Sequence, residues 1–462
     1  MKQASVQEHE NNIPEKMGFV DKFTLWSIKW VPDAWVFVLV ITLIVFGLAL
    51  ALTDHGPLQI IKDYQKGFWS LLTFAMQMSV LMITGFAVAE SSYVKKLIIR
   101  LIDIPKTASA TLVMFTLIAG FLWWMHWGIG MMVSIMMGRE IAVRKQGLGI
   151  HYPILAAISY CLIVLANGPS QAAQLLVATP GHFIESVTGV IPLTLTTFDP
   201  HLLVSNLFLF VTLPILFLII VPKGRMARQI DAETAAALST PEPEDVPKKD
   251  LSPAERWNRS WVLQVIIAAM GLYAALSYFY QNGIARIDLN SVNFTFLFLA
   301  MLLHKNPRSF IASVQRGTST VAGVIIQFPM YAGIFGMISF SGLAGIIAHW
   351  FVSISTQGTF PWIVFLYTTV LDIFVPSAGS KFVIEAPYLI PAGKELGASI
   401  PHVINAYTWG SVCSNMIQPF WALPILGAYK VKFQDILPFT VIIWAYCITF
   451  FSITLLLWPA GF

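Results

Sequence analysis

Long apolar stretches recur along the chain, separated by short loops in which the charged residues collect. Residues 34–53, 69–89, 202–221, 261–280 and 437–458 each have the length and character of a membrane-crossing helix, for which about 20 apolar residues suffice. None alternates apolar and polar positions as a membrane barrel strand does. Because backbone polar groups in lipid must be satisfied internally, the pattern predicts helices throughout. Four further stretches are interrupted. Residues 108–138 are broken by His126-Trp127-Gly128-Ile129-Gly130, and residues 360–391 by Val375-Pro376-Ser377-Ala378-Gly379-Ser380. Both read as re-entrant hairpins, with tips at Gly130 and Gly379. Residues 153–189 are broken at Asn167-Gly168-Pro169-Ser170 and residues 401–429 at Ser414-Asn415-Met416-Ile417-Gln418-Pro419, which makes each a broken crossing. Residues 291–303 and 318–338 complete the helices, and residues 342–355 suggest a helix on the external surface.

The basic residues orient these elements. Treating residues 108–138 as a hairpin puts Lys95 and Lys96 on the same side as Arg139, Arg144 and Lys145, as the excess of Lys and Arg in cytoplasmic loops requires. The loop before residue 202 carries no Lys or Arg and reads as external. Residues 222–260 form the long polar stretch, with Lys223, Arg225, Arg228, Lys248, Lys249, Arg256 and Arg259 among acidic, Ala and Pro residues. They read as a cytoplasmic linker.

The two sides of that linker match. Gln65-Lys66-Gly67 corresponds to Gln315-Arg316-Gly317 and Gln77 to Gln327, each 250 positions apart; Gly130 and Gly379 are 249 apart, and both Pro153/Pro401 and Asn167/Asn415 are 248 apart. Four crossings in the first half plus the helix at 261–281 make an odd number, which turns the second half upside down. The predicted class is therefore an all-α polytopic membrane protein of two inverted-topology repeats, with about nine crossings plus two hairpins. Its parts are a cytoplasmic N-terminal segment 1–33, a first repeat 34–221, the linker 222–260, a linking helix 261–281 and a second repeat 288–462.

Composition agrees with a membrane class. Of 462 residues, 56% are hydrophobic and 11% charged, against about a quarter charged in a soluble domain. The polar first thirty residues lack the basic, apolar and small-residue pattern of a cleaved signal peptide. A net charge of +4 gives no sign of nucleic-acid binding, and Cys161, Cys413 and Cys447 lie in apolar segments with neither disulfide nor metal spacing.

In an inverted-repeat carrier, the interrupted helices present free backbone groups to the solute. Asn167, Ser170, Gln171, Ser377, Gly379, Ser380, Ser414, Asn415 and Gln418 are the expected substrate-facing set, because small residues admit close approach and neutral amides and hydroxyls are hydrogen-bonding partners that lipid tolerates. Lys381 follows the second tip, with Glu385 one turn on. They fit two roles: a buried ion pair pinning the hairpin, or a counter-ion for a substrate carboxylate with Glu385 exchanging a proton. His126, Gly128, Gly130, Asp372 and Glu385 are the candidates for ion or proton coupling, His126 fitting a hairpin cap equally well. No nucleophile–base pair or metal triad occurs at usable spacing, which argues against an enzyme.

Several strings carry a family resemblance: Phe374-Val375-Pro376-Ser377-Ala378-Gly379-Ser380, Ala178-Thr179-Pro180-Gly181, and above all Asn415-Met416-Ile417-Gln418-Pro419-Phe420-Trp421-Ala422-Leu423-Pro424. The sequence resembles the short-chain fatty acid transporters, the acetoacetate and butyrate uptake proteins. That resemblance implies an ion-transporter-superfamily fold, often a homodimer, in which a transport unit of hairpins and broken helices moves against a scaffold. It implies a small carboxylate as substrate, no cofactor beyond a coupling Na⁺ or H⁺, and a place in the bacterial inner membrane with a cytoplasmic N-terminus. The chain departs from the family's usual pattern at Ser380-Lys381-Phe382, at Glu385 and around Asn167 to Ala172, so an organic anion or zwitterion outside the usual range is the alternative.

Overall fold

The computed structural model describes residues 34–224, 227–238, 252–319, 321–373, 377–418 and 421–458, and over these residues the chain is helical with no strand. The expected N-terminal segment 1–33, part of the linker and the tip residues Phe374, Val375 and Pro376 lie outside the described residues. The first repeat runs through α1 (Ala34–Leu52), α2 (Pro57–Phe68), α3 (Leu72–Glu90), α4 (Ser92–Asp103), α5 (Ala108–Met125), α6 (Trp127–Arg144), α7 (Tyr152–Cys161), α8 (Ala172–Ala178) and α9 (Pro200–Ile220). Two short linker helices, α10 (Ala232–Leu238) and α11 (Pro253–Asn258), lead to the linking helix α12 (Trp261–Asn282). The second repeat follows as α13 (Leu289–Leu303), α14 (Pro307–Thr318), α15 (Ala322–Phe340), α16 (Leu343–Ile354), α17 (Phe360–Asp372), α18 (Ala378–Glu395), α19 (Ile400–Ser414), α20 (Ala422–Tyr429) and α21 (Phe433–Leu457).

The repeats agree down to single backbone angles. α5 and α6 turn at His126 (φ −154°, ψ 105°), and α18 starts from Ser377 (φ −152°, ψ 106°). Each extended residue caps the helix that follows: His126 Nδ1 accepts from Ile129 N, and Ser377 Oγ from Ser380 N. His151 and Ser399, which precede α7 and α19, both have φ −64° and ψ 112°, and each stands two residues before a proline that fits the first helical turn. The first turn of chain direction thus comes at His126, four residues before the expected tip. Gly130 lies inside α6, where a Cβ would come 2.3 Å from Trp123 Cα, so its small size lets the hairpin arms touch. The first broken crossing is also shorter than expected, ending at Ala178, because the chain after Thr179 runs through turns and the short helix Glu185–Thr188.

α2 and α14, amphipathic helices where the apolar pattern predicts none, brace the halves by crossing between them. α2 lies on α15, where a Cβ on Gly67 would meet Ala332 O at 2.4 Å and Gly336 Cα at 2.6 Å. At the matching place α14 lies on α3, with Gly317 against Phe86. Lys66 stacks over the Phe340 ring at 3.9 Å, while its counterpart Arg316 pairs with Glu90, the counterpart of Phe340, at 2.7 Å. The first helix of each repeat likewise packs on the third helix of the other: α1 on α15, and α13 on α3. The broken helices are exchanged in the same way. Gly379 near the start of α18 abuts Ala172 of α8, and Tyr429 of α20 sits against Gly138 of α6.

Candidate functional site

Where α7 ends, the chain tightens into the 3-10 turn Leu162–Leu165 and then folds through a second turn, closed by Gln171 N donating to Gly168 O at 3.0 Å. The break leaves backbone groups that side chains must satisfy. Gln171 caps α8, its Oε1 accepting from Ala172 N at 2.7 Å while Nε2 donates back to Ala166 O. Ser170 Oγ accepts from Trp127 N at 2.9 Å, which fastens the first hairpin to the first break. Asn167 Nδ2 donates to Val164 O at 3.1 Å. Its Oδ1 is buried with no donor in reach, an acceptor available to a solute. Gly168 permits this crowding, since a Cβ there would sit 1.9 Å from Trp124 O.

The second break begins after Ser414 with the 3-10 turn Asn415–Ile417. Asn415 Nδ2 donates to Ser411 O and its Oδ1 accepts from Gln418 Nε2, both at 2.8 Å. The two breaks meet through Tyr160 of α7, whose hydroxyl donates toward Asn415 O and Gln418 O. Trp127 and Trp421 stand edge to face, 6.0 Å apart, beside this junction. The second hairpin closes the other side: Gly379 touches Ala172, and Tyr407 donates to Ala378 O at 2.6 Å.

Asp372, Lys381 and Glu385 form a cluster with no solvent exposure at any of the three side chains. Lys381 Nζ lies 3.0 Å from Asp372 Oδ1 and 3.9 Å from Glu385 Oε1, and it donates to Thr368 O at 3.0 Å. The Tyr407 ring covers the ammonium at 5.1 Å. Ser414 Oγ donates to Asp372 Oδ2, and Thr368 Oγ1 to Glu385 Oε2, each at 2.7 Å. The nearer partner of Lys381 is thus Asp372 on the opposite arm; Glu385, one turn along its own helix, is the farther one.

The expected residues therefore divide. Asn167, Ser170, Gln171, Asn415 and Gln418 surround the junction of the breaks, Gly379 joins them from the second tip, and Ser414 links the junction to the charged cluster. Ser377 is spent on capping α18, and Ser380 is buried one turn into it. His126 points elsewhere: its ring lies edge-on to Phe296 of α13, at 4.5 Å, and against Gly85 of α3 and Gly128. Sequence reading passed over Tyr160, Thr368 and Tyr407. Two of them had a legible signal, because Thr368 stands four residues before Asp372 and Tyr407 seven before Ser414, each on the same helical face.

An all-helical chain with two inverted repeats, each contributing a hairpin and a broken helix to one buried polar junction, is a polytopic membrane transporter. Residues 17–458 match the short chain fatty acid transporter family. The chain belongs to that family. A relative from Escherichia coli bearing the short-chain fatty acid transporter name is 34% identical over 438 residues, 94% of this chain and 96% of that protein. One from Haemophilus influenzae, with the same name, is 33% identical over 426 residues, 90% and 94% of the two chains. Among solved structures, the fold is shared with the YdaH transporter of Alcanivorax borkumensis, described as having an unusual topology, at a TM-score of 0.59 and 13% identity over 93% of this chain and 100% of that one. It is shared also with MtrF of Neisseria gonorrhoeae, described as illuminating a class of antimetabolite efflux pumps, at 0.60 and 14% over 96% and 97%.

Proposed function

We propose that this transporter moves small monocarboxylates, such as short-chain fatty acids, across the bacterial cytoplasmic membrane by secondary active transport coupled to H⁺ or Na⁺. The observation that carries this reading is the junction of the two breaks across Tyr160. It sets neutral donors, the Ser170 hydroxyl and the second amide N–H of Gln171 and of Asn415, between elements of both repeats. Neutral donors suit a single carboxylate with a short apolar tail. A di- or tricarboxylate would bring further charge to a place where Lys381, the only buried lysine or arginine among the described residues, already faces two carboxylates. The positions of the basic loops support a cytoplasmic N-terminus.

Purified protein in liposomes is expected to accumulate radiolabelled butyrate or acetoacetate under an inward proton or Na⁺ gradient, with unlabelled short monocarboxylates competing. If neither gradient drives uptake and no small carboxylate competes, the reading fails.

A further inference from the structure

We propose that Asp372, Lys381 and Glu385 form a site for one proton, held on Glu385 Oε1, in which Lys381 is a resident counter-charge and not a ligand of the transported carboxylate. The proposal rests on the carboxylate-transport reading and deepens it by naming the coupling ion and the atom that carries it.

Charge balance comes first. Two carboxylates and one ammonium, all fully buried, sum to −1 when ionised. No other lysine or arginine among the described residues is buried. An uncompensated charge at that depth is costly, and one bound proton removes it. Geometry then selects the atom. Asp372 has the ammonium at 3.0 Å and the Ser414 hydroxyl at 2.7 Å. Glu385 has the Thr368 hydroxyl on Oε2, but its Oε1 stands 3.9 Å from the ammonium with no hydrogen-bond partner. Asp372 Oδ1 also lacks a hydrogen bond, but the ammonium stands against it at 3.0 Å, so Glu385 Oε1, farther from the positive charge, is the oxygen with room for a proton.

The same geometry disfavours an alkali ion. Lys381 Nζ already occupies the position between Asp372 Oδ1 and Thr368 O where such an ion would take its oxygens, and it would repel a second cation. A proton needs one oxygen. The remaining titratable groups around the cluster are phenols and a thiol: Tyr407 over Lys381, the hydroxyl-paired Tyr367 and Tyr388 near Glu385, and Tyr160, Tyr331 and Cys413 near Asp372. All are neutral near pH 7 when unperturbed, so they leave the count unchanged.

The cycle is balanced by one proton passing from external water to Glu385 Oε1 and later to cytoplasmic water. When it leaves, Lys381 faces two charged carboxylates and is drawn from Asp372 toward Glu385. Asp372 is also the acceptor for Ser414, which immediately precedes the second break. Proton release therefore acts on the attachment of the second hairpin to the solute junction.

Two measurements test this. Infrared difference spectra of the purified protein, titrated with base, are expected to show a protonated carboxyl band that disappears as pH rises and is missing in Glu385→Gln. Lys381→Met should hold that band to higher pH, since the competing positive charge is gone. In liposomes, Lys381→Met should move the half-saturating butyrate concentration by less than about threefold, whereas loss of a direct carboxylate ligand would raise it about tenfold or more. The proposal is overturned if no titrating band depends on Glu385. It is also overturned if Lys381→Met raises half-saturation tenfold without moving the band, or if a Na⁺ gradient drives uptake that Glu385→Gln abolishes. Should the wild-type protein exchange no carboxylate, the transport reading falls while the infrared arm still decides the proton site.

Discussion

At the scale of single residues, the polar side chains that matter sit where helices stop. Asn167 and Asn415 were visible in the sequence because each interrupts an apolar run at an equivalent position. Tyr160 was hidden, since a tyrosine inside an apolar helix reads as packing, and its role depends on where a chain segment 255 residues away places its carbonyls. Tyr160→Phe keeps the ring and removes the donor that Asn415 O and Gln418 O share. A buried carbonyl that loses its donor costs about 1–3 kcal/mol, so the variant is expected to unfold at lower temperature in detergent and to transport with a reduced maximal rate. Wild-type values for both would show that the hydroxyl bridge is dispensable.

At the scale of elements, residues 227–238 of the linker are docked. Arg228 N donates to His151 Nδ1 at 3.0 Å, Tyr152 N donates to Arg228 O at 2.7 Å, and Arg139 Nη2 donates to Leu238 O at 3.0 Å. The guanidinium of Arg228 pairs with Asp435 at the start of α21. Composition reads residues 222–260 only as a cytoplasmic linker, because contacts made by backbone atoms leave no trace in residue types. Burial and the nearby Arg228 hold the His151 imidazole below its usual pKa, with Asp435 opposing them. The docked state needs an unprotonated Nδ1, so docking is full above the unperturbed value of about 6.5 and weakens as pH falls below it toward the depressed value. A fluorophore on Ala236→Cys, on the exposed face of α10, should become more mobile as pH drops through that range. In a His151→Ala background the same step should vanish; a pH response that survives there would assign it to another group.

Across the whole molecule, the spacing of 248 to 250 residues made the duplication legible, and the backbone angles at His126/Ser377 and His151/Ser399 bear it out. The exchange of α2 and α14 between the repeats could not be read, because periodicity reports which face of a helix is buried and not against which partner. The exchange is also unequal. A Cβ on Gly67 would meet backbone at 2.4 Å, whereas one on Gly317 would meet the movable Phe86 ring at 3.3 Å. Gly67→Ala is therefore expected to lower the unfolding temperature in detergent, with an overpacking cost of about 1–3 kcal/mol, and Gly317→Ala to change it much less. Equal losses would mean that the ring is as unyielding as the backbone.

The crossed bracing bears on how the protein is made. As the first repeat leaves the ribosome, the faces of α1 and α2 that belong on α15, and the face of α3 that belongs under α13 and α14, have nothing to rest on until more than two hundred further residues have been synthesised. The half-built chain must wait in the bilayer with these surfaces against lipid, and Lys66 and Glu90 wait with their partners unmade. Folding cannot proceed one repeat at a time. It closes when the second repeat arrives and both scaffolds are completed together.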